Sequence, residues 1–369
     1  MVRKRIGIAA SIFLLSIAHS LAADAVVERP ELQCELKPSE LAQHYFTSKE
    51  KWPCAGELPG ELEALPPAED EPEALVILGE MLFTDPRLSG NGTISCASCH
   101  QPEKWFADDR RISPGVEQRE GHRTTPTLMN VDLWQTLFWD SRSNDLVALA
   151  EEPLTNPVEM DSSPAQAVAG IMSDPQYLPR FEAAFGSTEI TWQKMANALA
   201  AFQRTLRSPS YRYEAFLQAI ENREFEKAQN LISDEELLGL HLFRTRARCA
   251  RCHFGPLLSD GLDHNMGLHY FGRRFQDLGV YEISKLPEDV GKFRTPTLRH
   301  LNDTAPWMHN GLFDSLLGIV RMYSHGGPRP KPRGDNVNNP LFPTTTDELV
   351  AFELSAEEEQ ALVKFLEML

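Results

Sequence analysis

The residues best able to do chemistry stand in two short runs, Cys96-Ala97-Ser98-Cys99-His100 and Cys249-Ala250-Arg251-Cys252-His253. Each is a CxxCH, the attachment signature for c-type haem: two thiols add to the haem vinyl groups and the adjoining imidazole ligates the iron. One such run is compatible with a zinc or redox pair. Two copies in matched contexts predict two covalently bound haem c groups, with His100 and His253 as their proximal ligands. Function then turns on the opposite face of each iron, because an open face reacts with peroxide and a filled one only passes electrons.

Helices must deliver these motifs. From Glu73 the apolar positions Leu75, Leu78, Met81 and Leu82 have helical spacing that stops near Asp85-Pro86, so the first CxxCH follows a helix. Residues 191–206 begin at a Thr191 cap and keep one apolar face. Ser233 with Glu236, and Ser355 with Glu358, make capping boxes for a helix leading to the second CxxCH and for the C-terminal helix. No strand-like alternation competes. The predicted class is mostly α, two cytochrome c-like haem domains with long loops and little strand.

The two halves repeat one layout: an amphipathic helix, a CxxCH, and then a segment in which His122-Arg123-Thr124-Thr125-Pro126-Thr127-Leu128 answers Phe293-Arg294-Thr295-Pro296-Thr297-Leu298. Internal duplication is the natural reading. Residues 53–73, rich in Pro, Glu and Ala, read as an extended surface arm without core. The expected plan is a signal peptide over 1–22, an N-terminal arm over 23–72, a first haem domain over 73–215 and a second over 216–369, with the junction between about 207 and 232.

A chain of 369 residues is long enough for two domains, each burying its own core. Lys and Arg total 36 against 53 Asp and Glu, a net charge of -17, which excludes a nucleic-acid partner and suits a basic protein or a small substrate. Arg3, Lys4 and Arg5 precede a mostly apolar stretch over 6–17 and the small residues of Ser20-Leu21-Ala22, the pattern of a cleaved export signal. That stretch falls short of the roughly 20 residues a membrane span needs. The mature chain is therefore expected in the periplasm without a stable span. Export makes a Cys34-Cys54 disulfide the expectation, with two free thiols as the alternative.

Four further runs accompany the haem motifs: Gly79-Glu80-Met81-Leu82-Phe83-Thr84-Asp85-Pro86-Arg87-Leu88-Ser89, Phe138-Trp139-Asp140-Ser141-Arg142, Asn156-Pro157-Val158-Glu159-Met160, and Thr304-Ala305-Pro306-Trp307-Met308-His309-Asn310-Gly311. On these the chain, from about Leu75 onward, resembles the bacterial di-haem cytochrome c peroxidase and MauG superfamily. The resemblance implies that the His100 haem meets peroxide and that Glu159 lies over its distal face to move the peroxide proton. Without the Asn-Pro-Val-Glu-Met context Glu159 would read as a solvated surface acid. Pro153 matches a residue that shapes the same pocket, whereas Leu149 stands where many members have Gln. Members that need prior reduction carry a removable His in the loop here spanning Ser113 to Gly121, which has none. His122 is the nearby candidate, and the expectation is an open first site.

For the second haem the resemblance puts Tyr323 at the axial position that is Met in other members, within Arg321-Met322-Tyr323-Ser324-His325-Gly326-Gly327. A phenolate favours ferric iron, whereas Met raises the potential. Met322, Met308 and His309 remain competing ligands, and a packed core aromatic is the plainer reading of Tyr323. Trp139 is implied as an electron relay between the haems, with core packing as its alternative. The family also implies one calcium ion, for which Thr304 and Pro306 match while Thr124 replaces the usual Asn. Ala247 stands where MauG has a surface Trp used in hole transfer. The leading expectation is an enzyme that reacts with hydrogen peroxide and oxidises a partner protein's side chain, tryptophan in known members of the MauG-like branch. The second is a cytochrome c peroxidase drawing electrons from a small redox protein, and the third an electron-transfer cytochrome with both irons six-coordinate.

Overall fold

The computed structural model describes residues 35–369, so the expected leader and Cys34 lie outside the described residues. Cys54 is disulfide-bonded, and Cys96, Cys99, Cys249 and Cys252 are free. The chain is helical with long connections. Among the described residues the strands are two dipeptides, Asp263–His264 and Phe293–Arg294, paired antiparallel with Asp263 opposite Arg294.

Buried apolar side chains gather in two clusters. The first holds Leu78, Leu82 and Phe83 of the helix Glu73–Phe83 against Leu199 and Phe202 of the helix Trp192–Arg204. The second holds Leu240 and Phe243 of Asp234–Arg244 against Leu362 and Phe365 of Ala356–Leu366. The predicted caps are present: the side chains of Thr191, Ser233 and Ser355 accept from the amides of Lys194, Glu236 and Glu358. Both helix pairs cross at a glycine. A Cβ on Gly79 would lie 2.0 Å from the Ala198 carbonyl oxygen, and one on Gly239 would lie 2.1 Å from that of Ala361. The first cluster ends in sequence at Leu206 and the second resumes at Tyr213, so a boundary at 215/216 would cut the helix Arg212–Glu221.

The duplication extends to loop geometry. The bridge Leu137↔Ser143 is answered by Trp307↔Phe313, and left-handed Asn130 by left-handed His300. The Thr127 hydroxyl donates to the Trp105 carbonyl, as the Thr297 hydroxyl donates to that of Leu257. Counting on by the offset of the two bridges, His309 falls on Trp139, Asn310 on Asp140, and Tyr323 on Pro153.

The arm departs from expectation. Leu62 is fully buried in the second cluster together with Leu41, Tyr45 and Trp52. The buried Arg244 pairs with Glu61, donates to the Pro53 carbonyl at 3.1 Å and holds its guanidinium over the Trp52 ring at 5.1 Å. Pro-rich composition dictates an extended chain without periodicity, but an extended chain can still lend single side chains to another segment's core. Only the stretch 66–70 is exposed throughout.

Candidate active site

Ser95 starts the four-residue helix Cys96–Cys99, which sets both thiols on one wall of a cavity that His100 also borders. The second motif does the same with the 3-10 turn Cys249–Arg251 and the wall formed by Cys249, Cys252 and His253. Burial pushes the Cys96, Cys249 and Cys252 thiols up to about 12 and Cys99 up to about 11. It also lowers the pKa of His100 and His253, so both rings are neutral. Each ring donates from Nδ1 to a backbone carbonyl, His100 to Phe106 at 2.9 Å and His253 to Leu258 at 2.8 Å. That fixes the tautomer and leaves Nε2 as the nitrogen able to ligate a metal. The second cavity adds Arg294, which spans the Trp134 ring at 3.5 Å and keeps its buried Nη1 without a partner among the described residues. Its Nε donates to the Phe138 carbonyl at 3.0 Å, so the one spare buried N–H group calls for an acceptor such as a haem propionate. Both sites fit the group their cysteines predict.

The far wall of the first cavity is formed by Leu149, Pro153, Glu159, Met160 and Gln203. Glu159 Oε1 accepts from Asn156 Nδ2 at 2.6 Å. Burial raises its pKa above the ordinary carboxylate value, opposed by the nearby Arg142 cation. The 113–121 loop clamps this turn: the Val116 amide donates to the Glu159 carbonyl at 2.8 Å, and a Cβ on Gly115 would lie 2.2 Å from the Val158 oxygen. His122 borders neither cavity. Its side chain is 61% exposed, with Nε2 3.4 Å from Asp277.

The second cavity is bordered by Leu316, Ile319, Val320 and Tyr323, one face of the helix Leu316–Ser324, and by Met308 and His309. Met322 is on another face and does not reach it. The Tyr323 phenol lies close enough to Cys249 and Cys252 for their charge to bear on it, and burial raises its pKa. His309 stacks on Phe293 with centroids 3.7 Å apart, and its Nε2 is buried without a partner among the described residues.

Trp139 belongs to the first half but lines the second cavity, edge-on to His309 at 6.4 Å. Its indole N–H donates to the Thr124 carbonyl at 2.9 Å. Thr124 to Thr127 border the second cavity and Leu128 the first, so this segment partitions the two. Arg123 at its start ties the halves, donating to Asp277 at 2.7 Å and to Asp140 at 2.5 Å. Thr304 and Pro306 share the second cavity with Thr124; the hydroxyls of Thr124 and Thr304 donate to the Arg111 and His300 carbonyls. Ala247 is only 6% exposed and packs in the second cluster.

Sequence reasoning missed Gln203, a buried amide that lines the first cavity and donates to the Leu199 carbonyl at 3.2 Å. Its signal was available, since it is the polar residue on the buried face of the helix Trp192–Arg204.

A family model for di-haem cytochrome c peroxidase matches residues 73–222. Cytochrome-c peroxidase IdrP1 of Pseudomonas sp. (strain SCT) is 31% identical over 340 residues, covering 84% of this chain and 84% of that protein. The methylamine utilization protein MauG of Methylorubrum extorquens is 35% identical over 300 residues, covering 80% of this chain and 77% of that protein. Among solved structures, a MauG-like protein associated with microbial copper homeostasis superposes with a TM-score of 0.72 at 31% identity, covering 83% of this chain and 93% of that one. The di-haem peroxidase BthA of Burkholderia thailandensis, at 22% identity and a TM-score of 0.66, shares the fold. With two haem-attachment turns on a duplicated helical frame, and these relatives spanning most of its length, the chain belongs to the di-haem cytochrome c peroxidase and MauG family, whose members are peroxide-dependent oxidoreductases with two haem c groups.

Proposed function

We propose that the chain is a periplasmic member of the MauG-like branch, in which peroxide reacts at the His100 site and the oxidising equivalents, shared with the His253 site, are spent on a side chain of a partner protein, tryptophan being the expected target. One observation carries this reading: the duplicated frame sets Pro153, which has no side-chain donor atom, where the second half has the Tyr323 phenol.

Bound haem would supply the iron at which the O–O bond breaks and electrons are held. The chain's own residues do the rest. Glu159 takes the proton from one peroxide oxygen and returns it to the other; Asn156 Nδ2 fixes the carboxylate for that transfer. Leu149 and Pro153 add apolar surface and no ligating side-chain atom to that wall. Tyr323 would supply an oxygen ligand to the group held by Cys249, Cys252 and His253. Trp139, pinned through its N–H to Thr124, carries electrons between the sites. A calcium ion between the halves belongs to the same reading: Thr124 and Thr304 keep oxygen lone pairs after donating to carbonyls, and Pro306 offers a backbone oxygen, though the set brings no carboxylate. Metal analysis of the dialysed protein checks it, and the absence of bound calcium would remove it.

The relatives named cytochrome-c peroxidase favour a second reading, detoxification of hydrogen peroxide with electrons from a small redox protein. Stoichiometric peroxide added to the fully oxidised protein separates the two. An absorbance change without prior reduction supports the first reading; silence until one haem is reduced supports the second.

A further inference from the structure

Three rings meet where the two halves join. The Trp105 indole stacks on the His300 imidazole, with centroids 4.5 Å apart and planes 22° apart, and lies edge-on to the Tyr211 phenol at 5.7 Å. Tyr211 and His300 are edge-on at 5.3 Å. Trp105 closes the turn after the first CxxCH, Tyr211 caps the helix Arg212–Glu221, and His300 leads into the turn Leu301–Asp303. His300 is buried, while Trp105 and Tyr211 are each partly exposed.

The hydrogen bonds decide which ring can carry charge. Ser208 Oγ accepts from Asn130 Nδ2 at 2.7 Å and shares a proton with His300 Nε2 at 2.6 Å, which anchors the ring in place. The other ring nitrogen, His300 Nδ1, is buried without a partner among the described residues. Burial lowers the His300 pKa to about 4, so the ring stacked on the indole is neutral and does not repel a cation there. The Tyr211 hydroxyl is buried and also lacks a partner among the described residues. A phenol must shed its proton when it loses an electron, and no described residue is hydrogen-bonded to this hydroxyl to take it. An indole can lose an electron and keep its N–H. Asp303, close enough to raise the Tyr211 pKa, puts a negative charge beside the group.

Trp105 is also well connected. The next residue, Phe106, offers the carbonyl that accepts the His100 Nδ1 proton, and the Trp105 carbonyl accepts the hydroxyl of Thr127, which lines the second cavity. With Ala247 buried, Trp105 is a partly exposed indole one residue from the bond that orients a haem-ligating ring.

We propose that Trp105 is an electron-relay residue, the point at which electrons enter from an electron-rich aromatic side chain of a docked protein, on a route separate from Trp139. The proposal rests on the peroxide-first reading above. Each passage removes one electron from the donor ring and refills the Trp105 indole cation. Two passages and two protons from water convert one hydrogen peroxide to two waters, leaving the donor oxidised by two electrons. Without a donor the indole itself is consumed, gaining one peroxide oxygen while the other leaves as water.

The test treats the fully oxidised, haem-loaded protein with stoichiometric peroxide in the absence of any partner. Absorbance is followed, radicals are recorded by paramagnetic resonance with ring-deuterated Trp, and oxidised residues are located by peptide mass spectrometry. The expected result is an indole radical whose lines narrow on deuteration and oxygen gain concentrated on Trp105, lost in Trp105→Phe and kept in Tyr211→Phe. An absorbance response with oxygen gain elsewhere and no change in Trp105→Phe overturns this proposal and leaves the peroxide-first reading standing. No response before reduction overturns both. If Trp105→Phe does not take up two haems, the wild-type peptide map alone decides.

Discussion

The two cavities are attached alike and finished differently. Each has two thiols and an imidazole tied through Nδ1 to a carbonyl, yet the far walls diverge at Pro153 against Tyr323, and the turns leading to them carry Trp139 against His309 and Asp140 against Asn310. In the second half one uninterrupted helix, Leu316–Ser324, runs past the cavity and presents Tyr323. In the first half the same stretch breaks into Leu146–Leu149 and Glu151–Thr155. Pro153 has no N–H to give to the carbonyl of Leu149, so an unbroken helix is disfavoured there. The chain then turns at Asn156 and brings Glu159 to the wall. Exchanging the phenol for a carboxylate is thus one structural difference between two copies of the same frame.

The harshest way to break the comparison is to remove one attachment. Cys96→Ala with Cys99→Ala should leave one covalent haem by intact mass and abolish the peroxide response, whereas Cys249→Ala with Cys252→Ala should spare peroxide entry at the first site. Next is Glu159→Gln, which keeps the Asn156 contact but not the base. The rate of the peroxide-induced absorbance change should fall by about 10²–10⁴, the usual contribution of a positioned acid–base group. Because burial raises the Glu159 pKa, the wild-type rate should decline with falling pH sooner than it would for a free carboxylate, and the Gln variant should lose that dependence. Tyr323→Phe has a smaller effect. It should raise the second site's reduction potential in spectroelectrochemistry and slow peroxide consumption modestly, and an unchanged potential would pass the axial role to Met308 or His309, which border the same cavity.

A purely structural asymmetry comes below these. The arm feeds only the second cluster, so Leu62→Ala should cost about 2–5 kcal/mol of unfolding free energy and appear first in hydrogen exchange over 234–244 and 356–366. This is also where the sequence was least legible. Thr191, Ser233 and Ser355 announced their helices because capping is local chemistry. Leu62 gave no sign, because its burial depends on segments nearly two hundred residues away. The site divides in the same way. The haem thiols and imidazoles were readable from spacing alone, while Glu159 needed its five-residue context. Gln203 was hidden in a helix read only for its apolar face, and Gly115, whose missing side chain admits the Glu159 turn, carries no pattern of its own.

The smallest effect is predicted for the residue that would most damage the comparison if it mattered. His122 is the candidate that, by adding a ligand at the first site, would make the two sites alike. Its ring is solvated, sits 3.4 Å from the buried Asp277, and borders neither cavity. Asp277 is already paired with Arg123 at 2.7 Å, so the solvated His122 contact is replaceable. To ligate, His122 would have to leave that contact while the adjoining loop let go of the turn at Val158 and Glu159, against which Gly115 is packed without room to spare. His122→Ala should therefore leave the absorption and paramagnetic resonance spectra of the oxidised protein unchanged. Loss of a low-spin signal in that variant would mean that the loop does release, that both irons begin closed, and that reduction must come before peroxide.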